Sequence, residues 1–383
     1  MPLTLSTALF ILVSGIAPIF WGAVSDHYRI RRSVIVASLV IYSLSSVTCV
    51  LANDIWIIVL MRCCQAVGSS CSLSVGAVVI ADTFSLDKRG SAFSKYSFGI
   101  FAGPLIGPVI GGALVSAFNS WRSSFWFCFG YGTAVLLFIV CFLPETCKDV
   151  DETRQRQQQI DPLSPIYLLR HPFIILASLI SSIAFGGMYA VQSILPILYQ
   201  EVYGLTAWQT GLTFIGAGVG NGLGTLVNSV ASDRLFLRSA KKRDNGRSIP
   251  EDRLTANMWP CGLFFIPFGL LLFGWSIQRG ISVWAPIVGF SVQCFGMYQL
   301  STIPSAYVVD AVPDRGASAA AAVTFCRCTT AAILTVVANP LCDAIDPGWT
   351  CTVLVALTVL SMLAALELVL FGDRLRKWSG YES

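Results

Sequence analysis

Arg62 stands inside an apolar run, in the sequence Arg62-Cys63-Cys64-Gln65-Ala66-Val67-Gly68. A guanidinium held in hydrocarbon costs at least about 2.5 kcal/mol, so such an arginine normally faces a polar interior. The other reading is snorkelling to the headgroups, because Arg62 lies near one end of its run. The ionisable groups that share this setting are Arg327 and Glu367, with Lys95 just inside a run's end. Uncharged polar candidates near the middle of other runs are Tyr189, Gln192, Asn221, Gln293, Tyr298 and Gln299. Singly, each serves packing as readily as ligand contact; together with Arg327 they outline a polar cavity between two halves of the chain. Two buried arginines suit an anionic solute such as a carboxylate. Proton exchange would need a titrating group, and buried carboxylates suit that because desolvation raises their pKa. The runs of the first half hold no mid-run Asp or Glu. Glu367 lies in the last run, where a lipid-edge or packing role is equally open.

The elements that position these residues follow from composition. The chain has 383 residues, 55% hydrophobic and 12% charged, with a mean hydropathy of +0.71. Soluble domains carry roughly 25% charged residues. A water-facing surface cannot be covered at half that density, which excludes a soluble multidomain enzyme, a disordered chain and a nucleic-acid binder. A spanning helix takes about 20 apolar residues, so the length holds roughly eleven to thirteen. Eleven runs are read at 3–24, 33–53, 55–81, 91–118, 123–143, 172–199, 207–230, 256–276, 281–309, 317–339 and 349–372. None is a cleavable signal peptide: the first run has no basic residue before it and no cleavage site after it. The thirteen cysteines lie mostly inside runs (Cys63, Cys64, Cys71, Cys128, Cys326, Cys328). No spacing gives a four-ligand zinc site. His27 and His171 sit at run edges. Neither a metal nor a cofactor is expected.

Lys and Arg fall in alternate loops. One set holds Arg29, Arg31 and Arg32, then Lys88 and Arg89, Lys148 to Arg170, Arg234 to Arg253, Arg315, and the tail Arg374, Arg376 and Lys377. The other set has only Arg122 and Arg279. The positive-inside rule puts the first set, and the C-terminus, in the cytosol. The long polar stretches, 144–171 and 232–254, read as a linker between halves and a basic loop.

The halves echo each other. Ala23-Val24-Ser25-Asp26 matches Val230-Ala231-Ser232-Asp233-Arg234 at an offset of 207, and Asp87-Lys88-Arg89-Gly90 matches Pro313-Asp314-Arg315-Gly316 at 226. Both echoes keep the same sidedness, as parallel repeats require. The expected domains are a bundle at 1–143 with five spans, the linker 144–171, and a bundle at 172–383 with six. Two spans precede Asp233 within its half and one precedes Asp26, so the repeat predicts that the first helix of the first bundle, the counterpart of the span at 172–199, is missing.

Three motifs stand in order. Gly22-Ala23-Val24-Ser25-Asp26 followed by Arg31 and Arg32 joins two spans. Gly22 permits close helix approach, Asp26 can face the positive end of a neighbouring helix, and Arg31 or Arg32 can pair with an acid across the half-to-half seam. A plain positive-inside anchor is the other reading. The Arg62 motif comes second. The third is Gly99, Gly103-Pro104, Gly107-Pro108 and Gly111-Gly112, whose four-residue spacing makes one smooth helix face. Its prolines remove backbone donors and bend the helix. Gly216, Gly220 and Gly224 form a similar face, and the two faces are expected to pack together between the halves.

Along essentially the whole chain this order resembles the fungal drug:proton antiporters of the major facilitator superfamily, near the quinidine- and multidrug-resistance-like members. Smaller echoes are Trp121-Arg122, Leu143-Pro144-Glu145-Thr146, Pro250-Glu251-Asp252-Arg253-Leu254 and Gly348-Trp349. The resemblance implies an all-α fold of two six-helix bundles. It implies a conformational latch at Gly22, Asp26, Arg31, Arg32, Asp233 and Arg234, which holds one state and breaks in the other. The family pattern has a glycine where Arg29 stands and a basic residue at Ile30, so the turn is made differently here. It implies a coupling role for Arg62, Gln65 and Gly68, and an antiporter seam at the Gly99–Gly112 motif. The function expected is proton-coupled export of a small organic molecule (drug, secondary metabolite or organic acid) by alternating access. The partners are substrate, protons and lipid, in a monomer of the plasma membrane more than the vacuole. The competing reading is a non-transporting or truncated transporter-like protein, a sensor or remnant. A membrane enzyme is excluded by the lack of a His cluster, a paired Asp or an activated nucleophile within a run.

Overall fold

A computed structural model describes residues 2–28, 30–83, 103, 106–145, 164–241, 254, 258–312 and 316–380. Helix is the regular structure among them, and no strand occurs in the described residues. The helices are α1 (Pro2–Tyr28), α2 (Arg32–Leu51), α3 (Ile55–Thr83), α4 (Ile106–Phe118), α5 (Arg122–Phe142), the short α6 (Ser164–Leu168), α7 (Pro172–Tyr203), α8 (Ala207–Lys241), α9 (Met258–Gln278), α10 (Trp284–Ala311) and α11 (Gly316–Trp378). Seven are long and apolar enough to cross a membrane by length and composition. α8 and α10 fall short of that measure because they carry Asn221, Gln293, Gln299 and many glycines.

Local chemistry sets the ends and breaks. Pro172 starts α7 at a position where its missing N–H is not needed, and Gly204 (φ 63°) ends it in the left-handed conformation. α11 is broken at Ile345 and Asp346, just before Pro347, so it counts as two spans. α9 contains a π-helical turn at Cys261–Phe265. α8 continues to Lys241, eleven residues past the expected end of its span at 230, since Leu-Phe-Leu-Arg-Ser-Ala-Lys has good helix propensity and leaving the apolar layer does not end a helix. Most of the expected linker, 146–163, lies outside the described residues.

The chain divides into two compact units, Met1–Gly103 with Ile110–Ser164, and Pro104–Val109 with Pro165–Ser383. In the first, α3 packs on α1 and α2, and α2 packs on α5. Tyr42 of α2 is where these helices come closest. A Cβ on Gly68 of α3 would lie 2.6 Å from Ser38 O and 2.8 Å from Tyr42 Cβ, and one on Gly132 of α5 would lie 2.8 Å from Tyr42 Cδ1. In the second unit α7 is the central helix: 67% of its apolar window is buried, against 6% for α5 in the first unit. α7 packs on α10 and α11, and Phe173, Ile180, Ile194, Leu195 and Tyr199 lie in its core.

Candidate functional site

Arg62, Gln65 and Gly68 share one face of α3, spaced three residues apart. Gly68 brings that face against α2, where Gln65 reaches an α2 acceptor and itself accepts from Arg62. Arg62 Nη1 donates to Gln65 Oε1 (3.2 Å), Gln65 Nε2 donates to Ser46 Oγ (2.8 Å), and Ser46 Oγ donates to the Tyr42 carbonyl (2.7 Å). Gln65 and Ser46 are buried, and Arg62 is partly exposed. The guanidinium lies 4.5 Å from the ring centre of Phe10 on α1 and 5.9 Å from that of Phe125 on α5. Cys49, Cys63, Cys128 and Tyr42 are within its electrostatic reach. Arg62 is thus turned inward along α3 and stacked on aromatic faces. No carboxylate among the described residues pairs with it, and none is buried. Glu367 is exposed on α11. Ser46, Phe10 and Phe125 have no mark in the sequence, because they join the site from other helices.

The latch residues of the first unit make a compact turn. Trp21 Nε1 donates to Val67 O (2.7 Å), tying α1 to α3. Arg31 Nη1 donates to Ser25 Oγ (2.8 Å), which itself donates to Ile30 O (3.1 Å). The backbone N–H groups of Arg31 and Arg32 donate to Glu145 (2.8 and 3.2 Å), and Arg32 Nη2 donates to Val140 O. Glu145 therefore caps the N-terminus of α2 from the end of α5, an anion at the positive end of a helix dipole. Glu145 was visible in the sequence as part of a small echo without a role. No described atom lies within 4 Å of a Cβ built on Gly22. The side chains of Asp26, Asp233 and Arg234 lie outside the described residues.

The glycine motif is described in part; Gly99 and Pro104 lie outside. No described atom lies within 4 Å of a Cβ built on Gly103, Gly107 or Gly111. Gly112 continues the same helix. Pro108 does make a close approach: its carbonyl lies 2.6 Å from where a Cβ on Gly211 would be. Gly216, Gly220 and Gly224 press on Ile287, Ser291, Cys294, Phe295 and Tyr298 of α10, a contact within the second unit.

The cavity candidates of the second unit separate into three kinds. Arg327 of α11 lies 4.8 Å from the ring centre of Phe185 on α7, which in turn packs 4.9 Å from Tyr189; Arg327 Nε has no hydrogen-bond partner. Gln192 and Tyr298 are partly exposed. Gln293, Gln299 and Asn221 are buried. Gln299 Nε2 donates to Gly224 O (3.0 Å), a strut between α10 and α8. Gln293 is fully buried with both amide atoms unpartnered, and Asn221 Oδ1 is unpartnered too.

The profile of the Major Facilitator Superfamily matches residues 3–335. MFS-type transporter phiD of Fungal sp. (strain ATCC 74256) is 27% identical over 96% of this chain. The chain spans 62% of that relative's length. Citrate exporter 1 of Aspergillus niger is 27% identical over 93% of this chain and 76% of its own length. The crystal structure of the human organic anion transporter MFSD10 (TETRAN) superposes with a TM-score of 0.64 at 18% identity, covering 94% of this chain and 83% of that one. That last likeness concerns the fold alone. The chain belongs to the Major Facilitator Superfamily, and it is a multi-pass membrane protein.

Proposed function

We propose that this protein exports a small organic molecule in exchange for protons, by alternating access. The observation that carries the reading is the chain from Arg62 through Gln65 and Ser46 to the Tyr42 carbonyl. It keeps a permanent positive charge oriented inside the first unit, with no described carboxylate to neutralise it. Such a charge biases where a proton or an anion can sit as the protein turns over. Relatives named as a citrate exporter and as the efflux pump radE of Floropilus chiversii support the outward direction. The latch and the glycine seam belong to the same proposal, with the basic loops in the cytosol and the monomer in the plasma membrane.

The test is flux into proteoliposomes of the full chain, with and without an imposed pH gradient. Uptake of some member of a broad panel is expected to require the gradient and to collapse with a protonophore. Arg62→Ala is expected to abolish flux while expression and monodispersity persist. Folded protein that moves no member of the panel would replace transport with the sensor reading.

A further inference from the structure

Arg62 presents five N–H donors in a planar fork, and the described residues use one of them, on Gln65. Among the described residues no other group accepts from the fork, and the rings of Phe10 and Phe125 lie beside it. The fork is nonetheless fixed in place. Gln65 is held by Ser46, Ser46 by its own helix, and the ring of Phe10 covers the guanidinium at 4.5 Å. A preorganised guanidinium loses little entropy when a planar anion docks on its edge, and two parallel N–H bonds to one carboxylate are its strongest pairing. The second unit repeats the chemistry with Arg327, whose Nε is buried without a partner against Phe185. Both arginines are partly exposed rather than sealed. A cationic solute would be repelled by each, and a neutral one could accept from the donors without answering their charge.

We propose that Arg62 is a carboxylate-binding residue and that the transported substrate is an organic acid. The inference rests on the transport reading above and adds the substrate's charge and the group that recognises it. Gln65 is then a positioning residue, which acts by aiming the fork.

Purified full-length protein is titrated with citrate, succinate, the neutral analogue succinamide, tetraethylammonium and inorganic phosphate, with calorimetry as the readout. The carboxylates are expected to bind, and succinamide and tetraethylammonium not. Arg62→Lys keeps the charge but loses the fork, and is expected to weaken succinate binding about tenfold or more. Gln65→Ala leaves the charge and the fork and is expected to weaken it less, raising KM more than it lowers kcat. Monodispersity on size exclusion shows that each variant is folded; if Arg62→Lys fails that check, Gln65→Ala carries the comparison. Equal binding of succinate and succinamide, or binding of phosphate alone, would overturn the proposal. So would an Arg62→Lys protein whose succinate affinity is unchanged while only the pH dependence of kcat moves, for then the residue serves coupling alone. Proton-driven flux of neutral or cationic solutes without carboxylate binding defeats this inference and leaves the transport reading standing. Carboxylate binding without flux does the reverse.

Discussion

Two buried glutamines differ in what their units ask of them. Gln65 of α3 is 1% exposed and uses both ends of its amide, accepting from Arg62 and donating to Ser46. Gln293 of α10 is 0% exposed and uses neither. A buried amide without partners costs about 1–3 kcal/mol in stability. The first unit has therefore joined Arg62, Gln65 and Ser46 in one chain that orients a charge, and leaves only the hydroxyls of Ser43 and Thr133 open among its described residues. The second keeps several open: Gln293, Asn221 Oδ1, Arg327 Nε, Ser178, Ser182 and Thr335. The lesson is that a polar residue in a span is not by itself a ligand contact. What matters is whether its neighbours spend its hydrogen bonds, and that is a property of the packing.

The sharpest way to break the contrast is Gln65→Leu. It removes the acceptor of Arg62 and the donor to Ser46 at once, leaving a guanidinium and a hydroxyl under-satisfied. Flux is expected to fall at least tenfold, with a stability loss of about 1–3 kcal/mol, checked by proteoliposome uptake and thermal unfolding. Unchanged flux would show that the orientation of Arg62 is immaterial.

The two glycine faces give the next largest effects, and they separate stability from turnover. A methyl on Gly220 would overlap the Ser291 carbonyl, a backbone atom that cannot step aside cheaply. Gly220→Ala is expected to cost about 1–3 kcal/mol, as overpacking does. Gly107→Leu meets no described atom within 4 Å at its Cβ. It is expected to unfold at the wild-type temperature and yet to lose transport, if that face serves the cycle. Equal unfolding temperatures for Gly220→Ala and the wild type would refute the α8–α10 assignment. Wild-type flux in Gly107→Leu would remove the motif from the mechanism.

Gln293→Met should act with the opposite sign. Replacing an unpartnered amide by an apolar group of similar length removes a desolvation penalty, so stability is expected to rise by about 1 kcal/mol. A drop in stability would mean that the amide is satisfied in the membrane-embedded protein. A loss of substrate affinity with stability unchanged would restore Gln293 to the cavity.

What was legible in the sequence follows the same physics. The spans showed because apolar composition is a summed property of some 20 residues. Arg62 showed as a charge inside an apolar run, and Gln65 and Gly68 beside it through the family resemblance. Ser46 and Phe10 did not, since they arrive from α2 and α1 through packing. The different hydrogen bonding of Gln293 and Gln299 did not show, because α10 has no polar face to tell its sides apart. The α10 cover of Gly216, Gly220 and Gly224 was not legible for a related reason: spacing defines a smooth face but not which helix covers it.

Two turns stand close to the offset of the sequence echo. Among the described residues, Asn119 (φ 49°) and Asp346 (φ 64°) are the non-glycine positions with positive φ. They stand 227 residues apart, one more than the offset from Arg89 to Arg315. Each turn leads into the last helix of its unit and is tied to another helix's end. Arg122 donates to Val50 O (3.0 Å) and Ala52 O (3.2 Å) beyond α2. Gln278 at the end of α9 accepts from Gly348 N–H (3.1 Å) and donates to Asp346 Oδ2 (3.4 Å). The first tie thus donates only from the turn to the helix end, whereas the second runs in both directions. The backbone differs as well. Asp346 has ψ 160°, in a region that glycine alone enters freely, whereas Asn tolerates the left-handed conformation. Asp346→Gly relieves that strain and gives up one long hydrogen bond. It is expected to stabilise the protein by about 1 kcal/mol, and Asn119→Gly by less, both read by thermal unfolding. If Asp346→Gly instead lowers the unfolding temperature, the Asp346–Gln278 bond outweighs the strain, and the two turns are held by different means.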